Sequence, residues 1–286
     1  MQFLENLLTV LDTQMETPLP YGWFHLLFFA LSILAAIALC VTHKHAGPDR
    51  VRKVVLWVSI ACILLEIYKQ INYSFTVTES GIAFDYQWYA FPWQFCSTPM
   101  YIGLVAGLTK KGKLHDATCA YLATFSMFAG LAVMFYPVSV FIGTVGINIQ
   151  TMICHGSMIT LGIYLLYSGH VKLEHKTILK AVCVFAVMIG IAIIMNEIAH
   201  ASGLLETETF NMFFISPYCE PSLPVYSLVQ NAVAFPLCLV LYIAGFTLAA
   251  YLILLVAMGI RRIRLNSQRS HRRLPKAVAL GAAQRI

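Results

Sequence analysis

The sequence predicts an all-α, polytopic membrane protein, a seven-transmembrane-helix bundle with its N-terminus outside and its C-terminus cytoplasmic. Three observations carry that prediction. The 286 residues are 59% hydrophobic and 11% charged, against roughly 25% charged in a soluble domain. Apolar runs of about 20 residues recur, the length that crosses ~30 Å of hydrocarbon at 1.5 Å per residue. The positive charge is also one-sided. Of 19 Lys and Arg, all but Lys69 fall in three short connections and the C-terminal segment: Lys44 to Lys53, Lys110 to Lys113, Lys172 to Lys180, and Arg261 to Arg285. Lys and Arg near the ends of spans stay cytoplasmic.

The elements follow in order. Residues 1–21 read as an external segment. They carry Glu5, Asp12 and Glu16 and no Lys or Arg, unlike the basic start of a signal peptide. Spans are predicted at about 22–42, 54–74, 92–109, 115–135, 147–168, 181–201 and 228–259. The longer connections between them carry Glu79 and Asp85, or Glu206, Glu208 and Glu220, and belong outside. Domain organisation is therefore an external segment 1–21, a seven-helix domain 22–259 and a basic cytoplasmic tail 260–286. The tail's composition predicts disorder. Pro99 and Pro236 are expected to kink spans three and seven. Gly103 and Gly107 form a G-x-x-x-G, which predicts close helix packing. No internal repeat is visible, which argues against repeat-built transporter folds.

Composition also excludes functions. The net charge of +6 is juxtamembrane, where it orients the chain and meets anionic lipid, so the expected partners are membrane lipids and not nucleic acid. Oligomeric state is open. The eight Cys are scattered without a C-x-x-C pair, and those inside apolar spans behave as small hydrophobes. They predict neither a disulfide framework nor a metal site, and no cofactor is expected.

Polar groups in lipid are costly, so their placement is informative. Glu66, Lys69, Gln70 and Tyr73 share a face of span two. Gln94, Cys96 and Ser97 open span three. Asn148, Thr151 and His155 form a stripe on span five. Asn196, Glu197 and His200 close span six, and Ser227, Gln230 and Asn231 open span seven. All fall in the outer half of their spans, which predicts a polar cup open to the outside or to the outer leaflet. Each also has a plainer reading: Glu66 with Lys69 as a structural ion pair, the Asn and Gln side chains as interhelical hydrogen bonds, His155 as a packing histidine.

Cys96 has the most reactive predicted surroundings of the eight thiols. It sits near the N-terminus of span three, where the helix dipole favours a thiolate. His155 lies at a comparable depth. A thiol beside an imidazole is the usual arrangement for acyl transfer through a thioester. A transporter or sensor of a polar solute or of protons, without covalent chemistry, would use Glu66, Lys69, Glu197 and His155 instead. A scaffold without chemistry is the third reading.

Several motifs resemble those of the YwaF-type family of integral membrane proteins. Phe91-Pro92-Trp93-Gln94-Phe95-Cys96-Ser97 resembles that family's L-P-L-H-L-C opening of span three, and His155-Gly156 its H-G in span five. The Asn211–Tyr218 segment with Leu223-Pro224 resembles its N-Y-M-Y-L…P segment, and Glu66 matches a Glu in span two. The likeness covers about residues 20–258. The family is similar to a vertebrate cysteine-dependent lysophospholipid acyltransferase. By that likeness Cys96 would carry the acyl chain and His155 act as its base. Glu66, Lys69, Gln94, Asn148, Asn196, Asn211, Gln230 and Asn231 would line the substrate site. Gln94 replaces the family's usual His, and Gln cannot accept a proton. The membrane would be the cell membrane, or an endomembrane in a eukaryote.

Overall fold

The computed structural model describes residues 2–138, 140–205, 208–220, 224–230 and 232–283. Helix dominates, because in lipid the backbone polar groups of a segment must be bonded internally. In order these are α1 (Gln2–Leu11), α2 (Trp23–Thr42), α3 (Pro48–Asn72), α4 (Thr98–Leu108), α5 (Lys113–Tyr121), α6 (Met127–Phe135), α7 (Val145–Tyr167), α8 (Lys176–Ser202), α9 (Pro224–Gln230) and α10 (Phe235–Ala283). A π-helical turn, Leu122–Ser126, joins α5 to α6 in one helix, Lys113–Phe135. Among the described residues six helices are long and apolar enough to cross a membrane: α2, α3, α5–α6, α7, α8 and α10.

The third predicted span differs from expectation. Its helix, α4, has 11 residues, ~16 Å at 1.5 Å per residue. The chain ahead of it, 91–97, is irregular. Pro99 does not kink this helix; it occupies the first turn and starts it. Pro236 does the same as the second residue of α10, and the predicted span 228–259 is split between α9 and α10. First-turn N–H groups have no intrahelical partner, so a proline there loses no bond. α10 continues into the basic segment as far as Ala283, where the composition predicts disorder. An existing helix extends without a new nucleus, and Ala, Arg and Leu favour extension.

The architecture is not purely helical. The connection from α3 to α4 carries a hairpin, β1 (Phe75–Thr78) and β2 (Gly81–Phe84), antiparallel with Phe75 opposite Phe84 and Thr78 opposite Gly81. The two-residue turn, Glu79-Ser80, leads into Gly81 at φ +117°, a conformation that side chains disfavour. Short apolar stretches such as Phe75–Val77 carry too few residues for a strand signal to stand out beside the helical runs.

α7 is the central helix, with α2, α3 and α6 packed on it. α4 packs on α3 through its two glycines. A Cβ on Gly103 would collide with the Ser59 hydroxyl, and one on Gly107 would lie 2.6 Å from Leu56 Cβ and 2.7 Å from its Cα. The G-x-x-x-G motif is therefore a packing device. Gly107→Val is expected to destabilise the fold by ~1–3 kcal/mol. Gly190 has open space at its Cβ position, so Gly190→Val should cost much less. Thermal unfolding of both variants in detergent checks this, and equal midpoints would refute the packing role.

Candidate functional site

A cavity of about 1850 Å³ lies between α3, α6, α7, α10 and the irregular segments around 89–97 and 203–220. Small-molecule pockets measure roughly 300–1,000 Å³, so this space has room for something larger. Most of its wall is apolar, with Phe95, Met100, Leu122, Met158 and Phe246 among the lining side chains. Its polar groups include Glu66, Lys69, Gln94, Cys96, Gln150 and His155.

Glu66 organises the polar wall. It is 5% exposed, and a buried carboxylate must be paired and hydrogen-bonded to stay charged. Lys69 Nζ lies 2.7 Å from its Oε1. Gln70 Nε2 donates to the same oxygen at 2.8 Å, and Gln150 Nε2 to Oε2 at 3.2 Å. Gln70 also donates to the Ala90 carbonyl and accepts from the Tyr86 hydroxyl. Burial and the Glu66 charge push the Tyr86 phenol up to about 12, so it stays a neutral donor. The ion pair expected as the plainer reading thus exists, at the centre of a network that ties α3 to α7 and to the segment before α4.

Cys96 and His155 both line the cavity. His155 is 7% exposed. Its Nδ1 lies 2.7 Å from the Thr151 carbonyl oxygen, which can only accept. Nδ1 therefore carries the proton of the neutral ring, and Nε2 presents a lone pair. Among the described residues that buried Nε2 has no hydrogen-bond partner. The α6 backbone passes close by, since a Cβ on Gly130 would lie 2.6 Å from the His155 carbonyl oxygen. Cys96 is half-buried and free. It precedes the first helical residue, Thr98, instead of lying in the first turn of a helix as the sequence predicts. The N–H groups of Ser97 and Thr98 bond to the Gln94 carbonyl. Among the described residues no hydrogen bond joins Cys96 to His155.

The predicted amides divide into two groups, and most are engaged with backbone. Gln94 donates to the Asn211 carbonyl at 3.0 Å and accepts from the Phe213 N–H at 3.0 Å. Asn196 makes the same two-way clamp on Met212, at 3.1 and 2.8 Å. Asn211 Oδ1 accepts from the Ser216 N–H, and the Tyr242 hydroxyl donates to the Phe213 carbonyl. Between these clamps Phe213 and Phe214 have φ of +59° and +58°, a left-handed conformation that costs energy for aromatic residues. The clamps hold this strained turn in the cavity wall. Asn148 and Gln230 are not in that wall. Asn148 is buried against Ile142, donating to its carbonyl and accepting from its N–H. Gln230 donates to the Ser216 and Cys219 carbonyls at 3.4 Å. Asn231 lies outside the described residues.

Gln94→Ala removes both bonds and leaves the Phe213 N–H without its acceptor. A loss of ~1–3 kcal/mol is expected, together with faster proteolysis within 211–216. Unfolding midpoints and cleavage rates in detergent read both, and a variant matching wild type in the two would refute the clamp.

Sequence reasoning missed several neighbours. Gln150, the second anchor of Glu66, sits one residue from the stripe that was read on α7. Cys62 Sγ lies 3.2 Å from Ser157 Oγ in the same wall. Ser126, in the π-helical turn, lines the cavity with a buried hydroxyl that has no partner among the described residues. Such turns recur at functional sites, and no sequence pattern announces them. Away from the cavity, His115, Cys119 and His170 bring their ligand atoms within 4.8 Å of one another. The His-x-x-x-Cys spacing was the available signal.

The model of the TMEM164 family, a membrane protein family, matches residues 20–272. No curated protein and no solved structure matches the chain.

Proposed function

The chain belongs to the TMEM164 family, and from that premise we propose that it is a membrane-embedded lipid-modifying enzyme, transferring an acyl group to a lysophospholipid through a thioester on Cys96. The observation that carries this reading is the bare, buried Nε2 of His155 in the wall of the same large apolar cavity that exposes Cys96. Most buried polar side-chain atoms find a partner, so an unpaired imidazole nitrogen facing a cavity supports a chemical role over a packing one.

In the first step Cys96 Sγ attacks the carbonyl carbon of an acyl ester. The thiol proton passes to His155 Nε2, the thioester forms, and the ester C–O bond breaks. His155 returns the proton to the departing alkoxide. In the second step Nε2 takes the proton of a lysophospholipid hydroxyl. The new ester forms, and Cys96 recovers its thiol proton. The Thr151 carbonyl keeps Nδ1 protonated and the ring oriented throughout. Acyl chains occupy the apolar part of the cavity. The Lys69 ammonium, 2.7 Å from Glu66 and lining the cavity, has further N–H donors for a phosphate.

The proposal includes topology. The basic connections face the cytoplasm, the N-terminus lies outside, and α4 with residues 91–97 makes a seventh crossing. Irregular backbone at membrane depth is tolerated where it lines a cavity, as 94–97 does here. The membrane is the cell membrane, or an endomembrane with the cavity toward the lumen.

The test is a trapped intermediate. The protein is reconstituted in vesicles of phosphatidylcholine bearing an alkyne-tagged acyl chain. A hydroxylamine-labile tag on Cys96, found by peptide mass spectrometry and discharged by added lysophospholipid, is expected. Equal tagging of Cys96→Ala would overturn the reading, as would no tag at all. Solute-dependent flux that survives Cys96→Ala and fails in Glu66→Gln would favour the transporter instead.

A further inference from the structure

We propose that His115, Cys119 and His170 form a zinc(II) site that fastens the start of α5 to the connection between α7 and α8. None of the three lines the lipid-sized cavity, so the site stands apart from the chemistry above.

The local sequence places the first two ligands. His115 and Cys119 are four residues apart in α5 and therefore share one helix face. They are 4% and 1% exposed. His170 comes from a tight turn after α7. Gly169 supplies it at φ +73°, Val171 N–H bonds back to Leu165, and His170 N–H donates to Ser168 Oγ at 3.4 Å. His170 is half-buried, which leaves a way in for an ion.

Hydrogen bonding orients the donors. His115 Nδ1 lies 2.9 Å from the Ala106 carbonyl oxygen, an acceptor only, so the neutral ring keeps its proton there. Its Nε2 lone pair then points at His170 Nε2, 2.7 Å away, and toward Cys119 Sγ, 3.6 Å away. A backbone carbonyl holding the far nitrogen of an imidazole is the usual support of a metal-ligating histidine.

The distances suit zinc. With Zn–N near 2.0–2.1 Å and Zn–S near 2.3 Å, tetrahedral geometry separates N from S by about 3.6 Å and N from N by about 3.3 Å. The first matches the structure as it stands. The second requires the half-buried His170 ring to withdraw by ~0.6 Å. Two imidazoles and a thiolate select a borderline or soft ion and reject Mg²⁺ and Ca²⁺, which take oxygen donors. Asp116 does not compete for the ion, because its carboxylate is paired with Lys180 at 3.1 Å. Binding replaces the Cys119 thiol proton with the metal, Zn²⁺ + RSH giving RS–Zn⁺ + H⁺, with the proton passing to water. A water completes the tetrahedron.

The experiment uses the full chain, purified in detergent, loaded with zinc sulfate and desalted. Wild type is expected to retain about one zinc per chain by elemental mass spectrometry. His170→Ala, a change in a half-buried turn, is expected to bind at least ~10-fold more weakly. Cobalt(II) in place of zinc should give a thiolate-to-cobalt charge-transfer band in wild type and in His170→Ala at high cobalt, but not in Cys119→Ser. A chelator should lower the unfolding temperature of wild type and leave that of His170→Ala unchanged. Equal zinc retention by wild type and His170→Ala would overturn the proposal. So would no zinc retained by wild type, a cobalt spectrum without the thiolate band, or retention of copper(I) in preference to zinc.

Discussion

Cys96→Ser should lower acyl exchange between phospholipid and lysophospholipid by roughly 10³-fold or more, with the protein still folded. The estimate follows from the chemistry of the nucleophile. A serine hydroxyl is a far weaker nucleophile than a thiol unless a strong base activates it. The base proposed to serve it is a neutral imidazole, His155, which lines the same cavity. Cys96 makes no side-chain hydrogen bond that fastens one helix to another among the described residues, and its one-atom replacement conserves volume, so the unfolding midpoint should stay near wild type. His155→Gln should behave as its partner. It keeps an amide N–H to meet the Thr151 carbonyl but cannot accept a proton, and a loss of ~10²–10⁴-fold is expected. Quantifying labelled product from reconstituted vesicles decides the matter. Exchange at the wild-type rate in Cys96→Ser removes the enzymatic reading. Exchange lost together with the fold would show a structural role instead, which circular dichroism and size exclusion would reveal.

The second large effect is on stability. Glu66→Ala should cost ~3–5 kcal/mol, because it strands Lys69 as an uncompensated charge in a largely buried site. Gln70 and Gln150 lose an acceptor in the same step. The double replacement Glu66→Leu with Lys69→Met removes both charges and fills the volume, and should recover most of that loss. Denaturant titration in mixed micelles measures all three proteins. A single variant within ~1 kcal/mol of wild type would show that the Glu66–Lys69 pair is not held out of water. The double variant has a second use. It should weaken transfer to lysophospholipids with a phosphate headgroup more than thioester formation on Cys96, since Lys69 is proposed to hold that phosphate.

The candidate site was legible unevenly. Glu66, Lys69, Cys96 and His155 could be picked out because a polar side chain inside an apolar run is rare and costly, and the structure puts all four in one cavity wall. Gln94 and Asn196 were picked out by the same argument, yet their amides clamp backbone at 211–213. Cost in lipid marks a polar residue as used, and says nothing of whether the user is a ligand or the chain itself. Asn148 and Gln230 illustrate the same ambiguity, since neither lines the cavity itself and both bond to the backbone of residues that do, Ile142, Ser216 and Cys219. Gln150 escaped notice because helix register alone does not say which face meets Glu66. His115, Cys119 and His170 escaped because their convergence depends on a contact between residues 55 apart in sequence.

By itself the sequence determined that this chain is helical and multi-pass, where most apolar helices run, and which ends carry the basic connections. Those follow from local quantities, hydrophobic length and the cost of moving charge, which act on each segment independently of its neighbours. Only the tertiary structure decided that α4 is a half-length helix preceded by irregular backbone, that Pro99 and Pro236 start helices, and that a hairpin sits between α3 and α4. It alone showed, among the described residues, His155 Nε2 without a partner in a cavity of about 1850 Å³. A hydrogen bond reaches about 3 Å, so its partners are set by how helices distant in sequence pack together, and no pattern along one chain specifies that.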